Sequence, residues 1–261
     1  MRRPILVVIG LVFGLSVWGC EKKEAAKQQL PKPGEPTETR AADQAKQEVP
    51  VAVAVQWLGH ASFRIAHGDI VVYIDPWKLK DPPHDATVVL VSHSHHDHYS
   101  PEDIAKVSGP DAKLLAPLDV VTKEGKGQTV LPGLRVELPG IVVTGVPAYN
   151  PNKKFHPEAQ KWLGFVIELG SKRIYYAGDT DLTTEMKALT NIDVALLPVG
   201  GTYTMNGAEA ANATEYIKPK LAIPCHWGDV VGGRTEADKF AELAKCAVKI
   251  PAIGETTSLQ Q

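Results

Sequence analysis

The chain predicts an α/β fold built of mixed layers, on three observations. The runs Thr87–Val91 (TVVLV) and Val194–Val199 (VALLPV) are almost continuously apolar, the pattern of strands buried on both faces beneath helices. A first half rich in hairpin patterns gives way to alternating strand and helix patterns, an order that belongs to mixed α/β layers. A chain of 261 residues, 44% of them hydrophobic, suffices for a substantial core, and no internal repeat points to a stacked array.

The expected strands are apolar or alternating runs closed by Gly, Pro or Asp: VAVAVQWLG, ASFRIAHGDIVVYIDP (a hairpin), ATVVLVSH, AKLLAP, LRVELPGIVVTGVPAY, WLGFVIELGSKRIYYAGD, DVALLPVG and KLAIPCHW. Helices are expected at SPEDIAKVS, TTEMKALT, NGAEAANATEYIK and TEADKFAELAKCAV. Ser100 is placed to cap the first of these, with Pro101 in its first turn and Asp103 completing a capping box; Asn206 is the expected cap of the third.

Upstream of these elements the composition changes. Residues 1–20, MRRPILVVIGLVFGLSVWGC, carry a basic start and an apolar stretch short for a membrane span, which reads as an export signal. The ending VWGC resembles the lipobox of bacterial lipoproteins, which implies lipidation of Cys20; the alternative is an uncleaved anchor helix. Glu21 follows that cysteine where an inner-membrane retention signal would have Asp, so the expectation is a cell-envelope protein facing the periplasm or exterior, at the outer membrane if there is one. Residues 21–50 have no aromatic and little that is large and apolar, so burial cannot offset their ordering entropy and they read as a flexible tether. The folded domain is expected over 51–261. It contains Cys225 and Cys246, whose pairing is permitted but not implied; either could equally be a small buried hydrophobe.

A formal charge of −2 gives no electrostatic footprint for polyanions, so nucleic acid is not an expected partner. The chemistry concentrates instead in SHSHHDHYS, where four histidines and an aspartate stand between His93 and His98, directly after a strand pattern. In extended chain, residues two apart share a face, so His93, His95 and Asp97 converge while His96 points away. The turn at Asp97-His98 can bring the next imidazole to the same cavity. Imidazole and carboxylate together suit zinc, iron or manganese better than calcium or magnesium.

The spacing His93-x-His95-x-Asp97-His98 resembles the metal-binding motif of the metallo-β-lactamase superfamily of binuclear metal hydrolases. WLGHASFRI and YIDPW look like the opening hairpins of its ascorbate-6-phosphate lactonase-like and phospholipase D-like branch, YYAGDT like its strand ending in a metal-bridging aspartate, and IPCHWG like its last ligand-bearing strand. The resemblance implies a four-layer αβ/βα sandwich. It also implies two divalent metal ions, Zn2+ ahead of Mn2+ or Fe2+, with His93 and His95 on the first, Asp97, His98 and His226 on the second, and Asp179 between them. The chain departs from the pattern where a third histidine is expected for the first metal: Asn150 stands there. His156 could swing in to replace it, Asn150 could coordinate weakly, or the site could be underfilled.

Further residues are expected around the metals. Asp75 could orient a metal-bound histidine as a hydrogen-bond acceptor, and His60, after Gly59, should sit near the mouth; turn roles are the alternatives for both. His96 is expected behind the ligands, His67 and His84 on surface loops. Lys153 and Lys154 are either contacts for an anionic substrate group or solvated loop residues. The resemblance implies hydrolysis of a small ester, lactone or phosphodiester by a metal-bridged hydroxide, with Asp97 or Asp179 relaying a proton. Two other readings stand beside it: a non-catalytic metal-binding or sensing lipoprotein, motivated by Asn150, and a phospholipase D-like enzyme, which an apolar groove near the metals would favour. Substrate identity and oligomeric state are not legible in the sequence.

Overall fold

The computed structural model describes Gly14 and residues 51–260. The expected signal peptide, the tether and Cys20 thus lie outside the described residues, Gly14 aside. No helix among the described residues is long and apolar enough to cross a membrane.

The elements run β1 (Val53–Gly59), β2 (Ser62–His67), β3 (Ile70–Ile74), β4 (Ala86–Leu90), α1 (Pro101–Val107), β5 (Ser108–Ala116), α2 (Leu118–Glu124), β6 (Gln128–Thr129), β7 (Arg135–Leu138) and β8 (Ile141–Pro147). They continue β9 (Leu163–Leu169), β10 (Lys172–Tyr176), α3 (Thr184–Lys187), β11 (Val194–Pro198), α4 (Gly207–Ile217), β12 (Leu221–Cys225), α5 (Arg234–Leu243), β13 (Ala247–Val248) and β14 (Thr256–Leu259). Two seven-stranded mixed sheets result, ordered β14-β1-β2-β3-β4-β5-β6 and β13-β12-β11-β10-β9-β8-β7.

Alternation explains how the sheets face each other. Phe63, Ile65, Ile74, Leu90 and Leu115 of the first sheet pack against Phe165, Ile167, Tyr176, Leu196 and Ile223 of the second in one buried core. The other face of the first sheet carries Val71, Tyr73, Val89 and Val91 against Ile104 and Val107 of α1 and Val120 of α2. The other face of the second carries Tyr175, Ala195 and Leu197 against Ala210, Ala213 and Ile217 of α4 and Phe240 of α5. This is the expected αβ/βα sandwich, and both of the continuous apolar runs, β4 and β11, are central strands covered on each side.

Several details differ from expectation. Helix α2 was not predicted: it is only seven residues, starts after Pro117 and stops at Gly125 in the left-handed region, too short for a clear period. Strand β14 was missed because three of the four residues of TTSL are polar and it becomes a strand by pairing with β1 at the sheet edge. Ser100 caps α1, accepting from the Asp103 backbone N–H at 3.2 Å, but the capping box is not reciprocal. The Asp103 carboxylate instead accepts the backbone N–H groups of Lys78 and Leu79 at 2.8 and 3.1 Å, mooring the loop after β3. The box expected at α1 forms at α4, between Asn206 and Glu209. Cys225 and Cys246 are both free.

Candidate metal centre

Strand carboxyl ends supply the site. Asp75 follows β3, Ser92 to His98 follow β4, Asn150 to His156 follow β8, Asp179 follows β10 and His226 follows β12, so both sheets deliver side chains to one edge of the sandwich. Sharp exits aim them inward: His60, Asp75 and His226 take left-handed φ values of 47°, 43° and 57°, conformations that cost energy for residues with a Cβ and that concentrate at functional sites. Gly178 does the same before Asp179 with φ 67°, and a Cβ there would fall 2.6 Å from the Leu163 carbonyl, so only glycine fits.

Three groups of donors converge, the members of each within 4.8 Å of one another: His93, His95 and His156; His60, Asp97, His98 and His226; and His93, His98 and Asp179. Asp179 lies between the first two, with one carboxylate oxygen 3.3 Å from His156 Nε2 and 3.0 Å from His226 Nε2 and the other 3.3 Å from His98 Nε2. Those three ring nitrogens are buried and make no hydrogen bond. Close but misaligned for hydrogen bonding, they and the carboxylate direct lone pairs into shared space, which is what a cation requires and what an unfilled polar core avoids.

Asp75 organises the imidazoles. Fully buried, its carboxylate accepts from Ser92 N at 2.7 Å, Ser92 Oγ at 2.6 Å, Tyr176 OH at 2.5 Å and His98 Nδ1 at 2.7 Å. Having given its one proton to Asp75, the Ser92 hydroxyl can only accept from His93 Nδ1, 2.8 Å away. His93 and His98 are therefore both protonated on Nδ1, with Nε2 free for a metal. A separate acceptor treats His156 likewise: Asn150 Oδ1 takes its Nδ1–H at 2.8 Å and its backbone N–H at 3.1 Å.

Charge within the cluster is strongly coupled. Burial pushes the Asp179 carboxyl up, but His226 and His98 outweigh it and hold the group well below the usual carboxylate range. Asp97 is also raised by burial and brought lower overall, chiefly by the His60 Nε2–H donated to it at 3.1 Å and by His98. Burial resists a proton on His98, yet Asp179 and Asp75 hold its pKa well above the ordinary histidine value. His93 is displaced the opposite way, by burial and by His98.

Comparison with known proteins follows the same residues. Positions 54–226, ending on His226, match the family described as the β-lactamase superfamily domain. The chain belongs to the metallo-β-lactamase superfamily. Within this superfamily it is 33% identical over 217 residues to a metal-dependent hydrolase of Pyrococcus abyssi, covering 76% of this chain and 95% of that one. A metallo hydrolase of Ignicoccus hospitalis, known from its structure, is 26% identical with a TM-score of 0.66, covering 80% of this chain and 99% of that one. A diiron β-hydroxylase of Streptomyces venezuelae shares the fold alone, at 11% identity and TM-score 0.61 over 81% of this chain and 55% of its own. The superfamily fold thus carries more than one metal chemistry, and the reaction must be argued from the site.

Set against the superfamily pattern, the departure at Asn150 resolves locally. Asn150 points its amide oxygen at His156, not into the donor group, and His156 takes the third place beside His93 and His95. His96 is corrected from a position behind the ligands: its side chain is 80% exposed. Lys153 is not offered to a substrate, because its ammonium bonds Asp181 at 2.6 Å and the Thr204 carbonyl at 2.6 Å, tying two loops together. Sequence reasoning missed Ser92 and Tyr176, which lock Asp75. It also missed Trp162, which lies 5.0 and 4.7 Å from the rings of His93 and His95 and is anchored by Asp119 of the unpredicted α2.

Proposed function

We propose that the protein is a binuclear metal-dependent hydrolase acting on a small ester, lactone or phosphodiester. The single observation that carries this reading is the pair of donor groups, His93/His95/His156 and Asp97/His98/His226, with the Asp179 carboxylate between them. Divalent ions held there, with zinc favoured by the imidazole-rich set, would acidify water and polarise the substrate's carbonyl or phosphoryl oxygen. The residues do the rest. Asp179 and Asp97 remain ionised across the physiological range and present acceptors for the proton of attacking water. His60 fixes the Asp97 carboxylate in place, while Asp75, Ser92 and Asn150 hold the imidazoles at the tautomer that leaves Nε2 bare.

The non-catalytic reading loses its motive once His156 stands beside His93 and His95, since Asn150 then supports a ligand instead of replacing one. The test is metal content by plasma mass spectrometry on protein purified without chelator, together with hydrolysis of bis-p-nitrophenyl phosphate and a lactone panel with and without added zinc or manganese. Two metals per chain with metal-dependent turnover, abolished in Asp179→Ala, is the expected result; metal binding without turnover on any substrate would return the binding-protein reading.

The proposed location is the cell envelope, through lipid on Cys20. Incorporation of labelled palmitate into the expressed protein, absent in Cys20→Ser, is the expected outcome, and equal labelling of both would remove the anchor from the proposal.

A further inference from the structure

Beside the second donor group, against His60, opens a cleft of about 910 Å³ whose walls include Trp57, Leu58, His60, Trp77, Trp227 and Ile253. Three indole rings line it. Trp57, buried, stacks on Trp227 with centroids 5.0 Å apart, and Trp77 lies 5.1 Å from the ring of His60. His60 borders both the cleft and the donor cluster: it lines the first, and its Nε2 is 3.1 Å from Asp97 of the second. A molecule whose reacting group sits at the donor cluster therefore has its remainder one histidine away from three tryptophans.

The charges at the mouth cancel one another. Lys78 pairs with Asp229 at 2.9 Å while its ammonium lies 4.1 Å above the Trp77 ring. Arg234 pairs with Asp238 and Glu255 with Lys249. The remaining ionic side chains of the lining, Lys80 and Asp81, are neighbours of opposite sign. Such a mouth has no net charge to attract an anion, whereas indole faces and edges favour flat apolar groups through stacked and edge-to-face contacts. Together with Lys153 being occupied elsewhere, this disfavours a phosphate or carboxylate on the non-reacting part of the substrate.

We infer that this cleft is the substrate's second binding site and that it takes a neutral, planar apolar group, so that the substrate carries an aryl group on the part that does not react. The inference rests on the hydrolase reading for the reaction and on the cleft alone for the specificity. Trp77 is the residue to test, because the backbone of its loop is held independently by Asp103 through Lys78 N and Leu79 N, so removing the indole leaves the loop moored.

The experiment compares the full-length protein with Trp77→Ala and Trp77→Phe. Steady-state kinetics use methyl 2-naphthoate and 2-naphthyl acetate against methyl acetate and methyl decanoate, and tryptophan fluorescence follows binding of the inert neutral probe 2-naphthamide. Loss of one aromatic contact predicts that Trp77→Ala raises KM for a naphthyl ester about tenfold more than for methyl acetate and weakens the probe about tenfold, with Trp77→Phe in between. Equal effects on naphthyl and methyl esters, or unchanged probe affinity, would overturn the inference. So would a larger loss on the decanoate, which would turn the cleft into an acyl-chain site. A wild-type protein that binds the probe through Trp77 but hydrolyses nothing would support the cleft and remove the hydrolase reading; turnover on the panel with no probe binding would do the reverse.

Discussion

At the residue scale the site is a set of imidazoles whose tautomers are imposed from behind. Asp75 receives four donors, two from Ser92, one from Tyr176 and one from His98, and Tyr176 comes from the opposite sheet. Tyr176→Phe keeps the buried ring and removes one of those bonds, at a stability cost of about 1 kcal/mol. It is expected to weaken metal retention about tenfold, read by competition with a chelator. Asn150→Ala should act on the other donor group, lowering metal affinity about ten- to a hundredfold by freeing His156, with the fold retained by circular dichroism. Acid should empty the site. Each histidine ligand must offer Nε2 unprotonated, and Asp179 and Asp75 favour the doubly protonated form of His98, so protons compete with a metal there. Affinity therefore declines as pH falls, so dialysis at pH about 5 should strip metal that dialysis at about 8 retains.

At the element scale the strand exits matter more than the strands. Gly178→Ala places a Cβ against the Leu163 carbonyl in a left-handed conformation, and the expected result is a loss of more than about 1 kcal/mol with Asp179 displaced, visible as lower denaturation midpoint and lower metal content together. By contrast Asn206→Ala, which removes the reciprocal cap of α4, should cost about 0.5–2 kcal/mol in urea unfolding while leaving metal content intact, because that helix packs on the outer face of the second sheet. Helix α4 was legible because Asn206, Glu209 and a long apolar face agree. Helix α2 and strand β14 were not: seven residues show no period, and TTSL acquires its strand from β1.

For the whole molecule, the donor cluster is a place where the two sheets meet through polar groups and not only apolar packing. Residues after β3 and β4 meet residues after β8, β10 and β12 there, so a metal would cross-link sheets that are far apart in sequence. A ligand present at a hundred times its Kd stabilises by about 2.7 kcal/mol, which for a domain of this size corresponds to a Tm increase of about 5–10 °C. Chelation is expected to lower Tm by that amount in differential scanning calorimetry, and readdition of zinc to restore it.

The sequence by itself determined the layered α/β class and the His93–His98 cluster at a strand end, because strand periodicity, turn residues and ligand spacing are local properties of the chain; Asp179 and His226 became candidates through the resemblance of their strand ends to those of the superfamily. It also offered Asp75 as an acceptor behind an imidazole, with a turn role as the alternative. Only the tertiary structure decided between Asn150 and His156, because the choice depends on how a seven-residue loop folds back so that one side chain supports the other. It alone brought Tyr176 onto Asp75, 101 positions away, and gathered Trp57, Trp77 and Trp227 into one cleft. Those contacts follow from which strands pair and how two sheets stack, and no spacing along the chain encodes that.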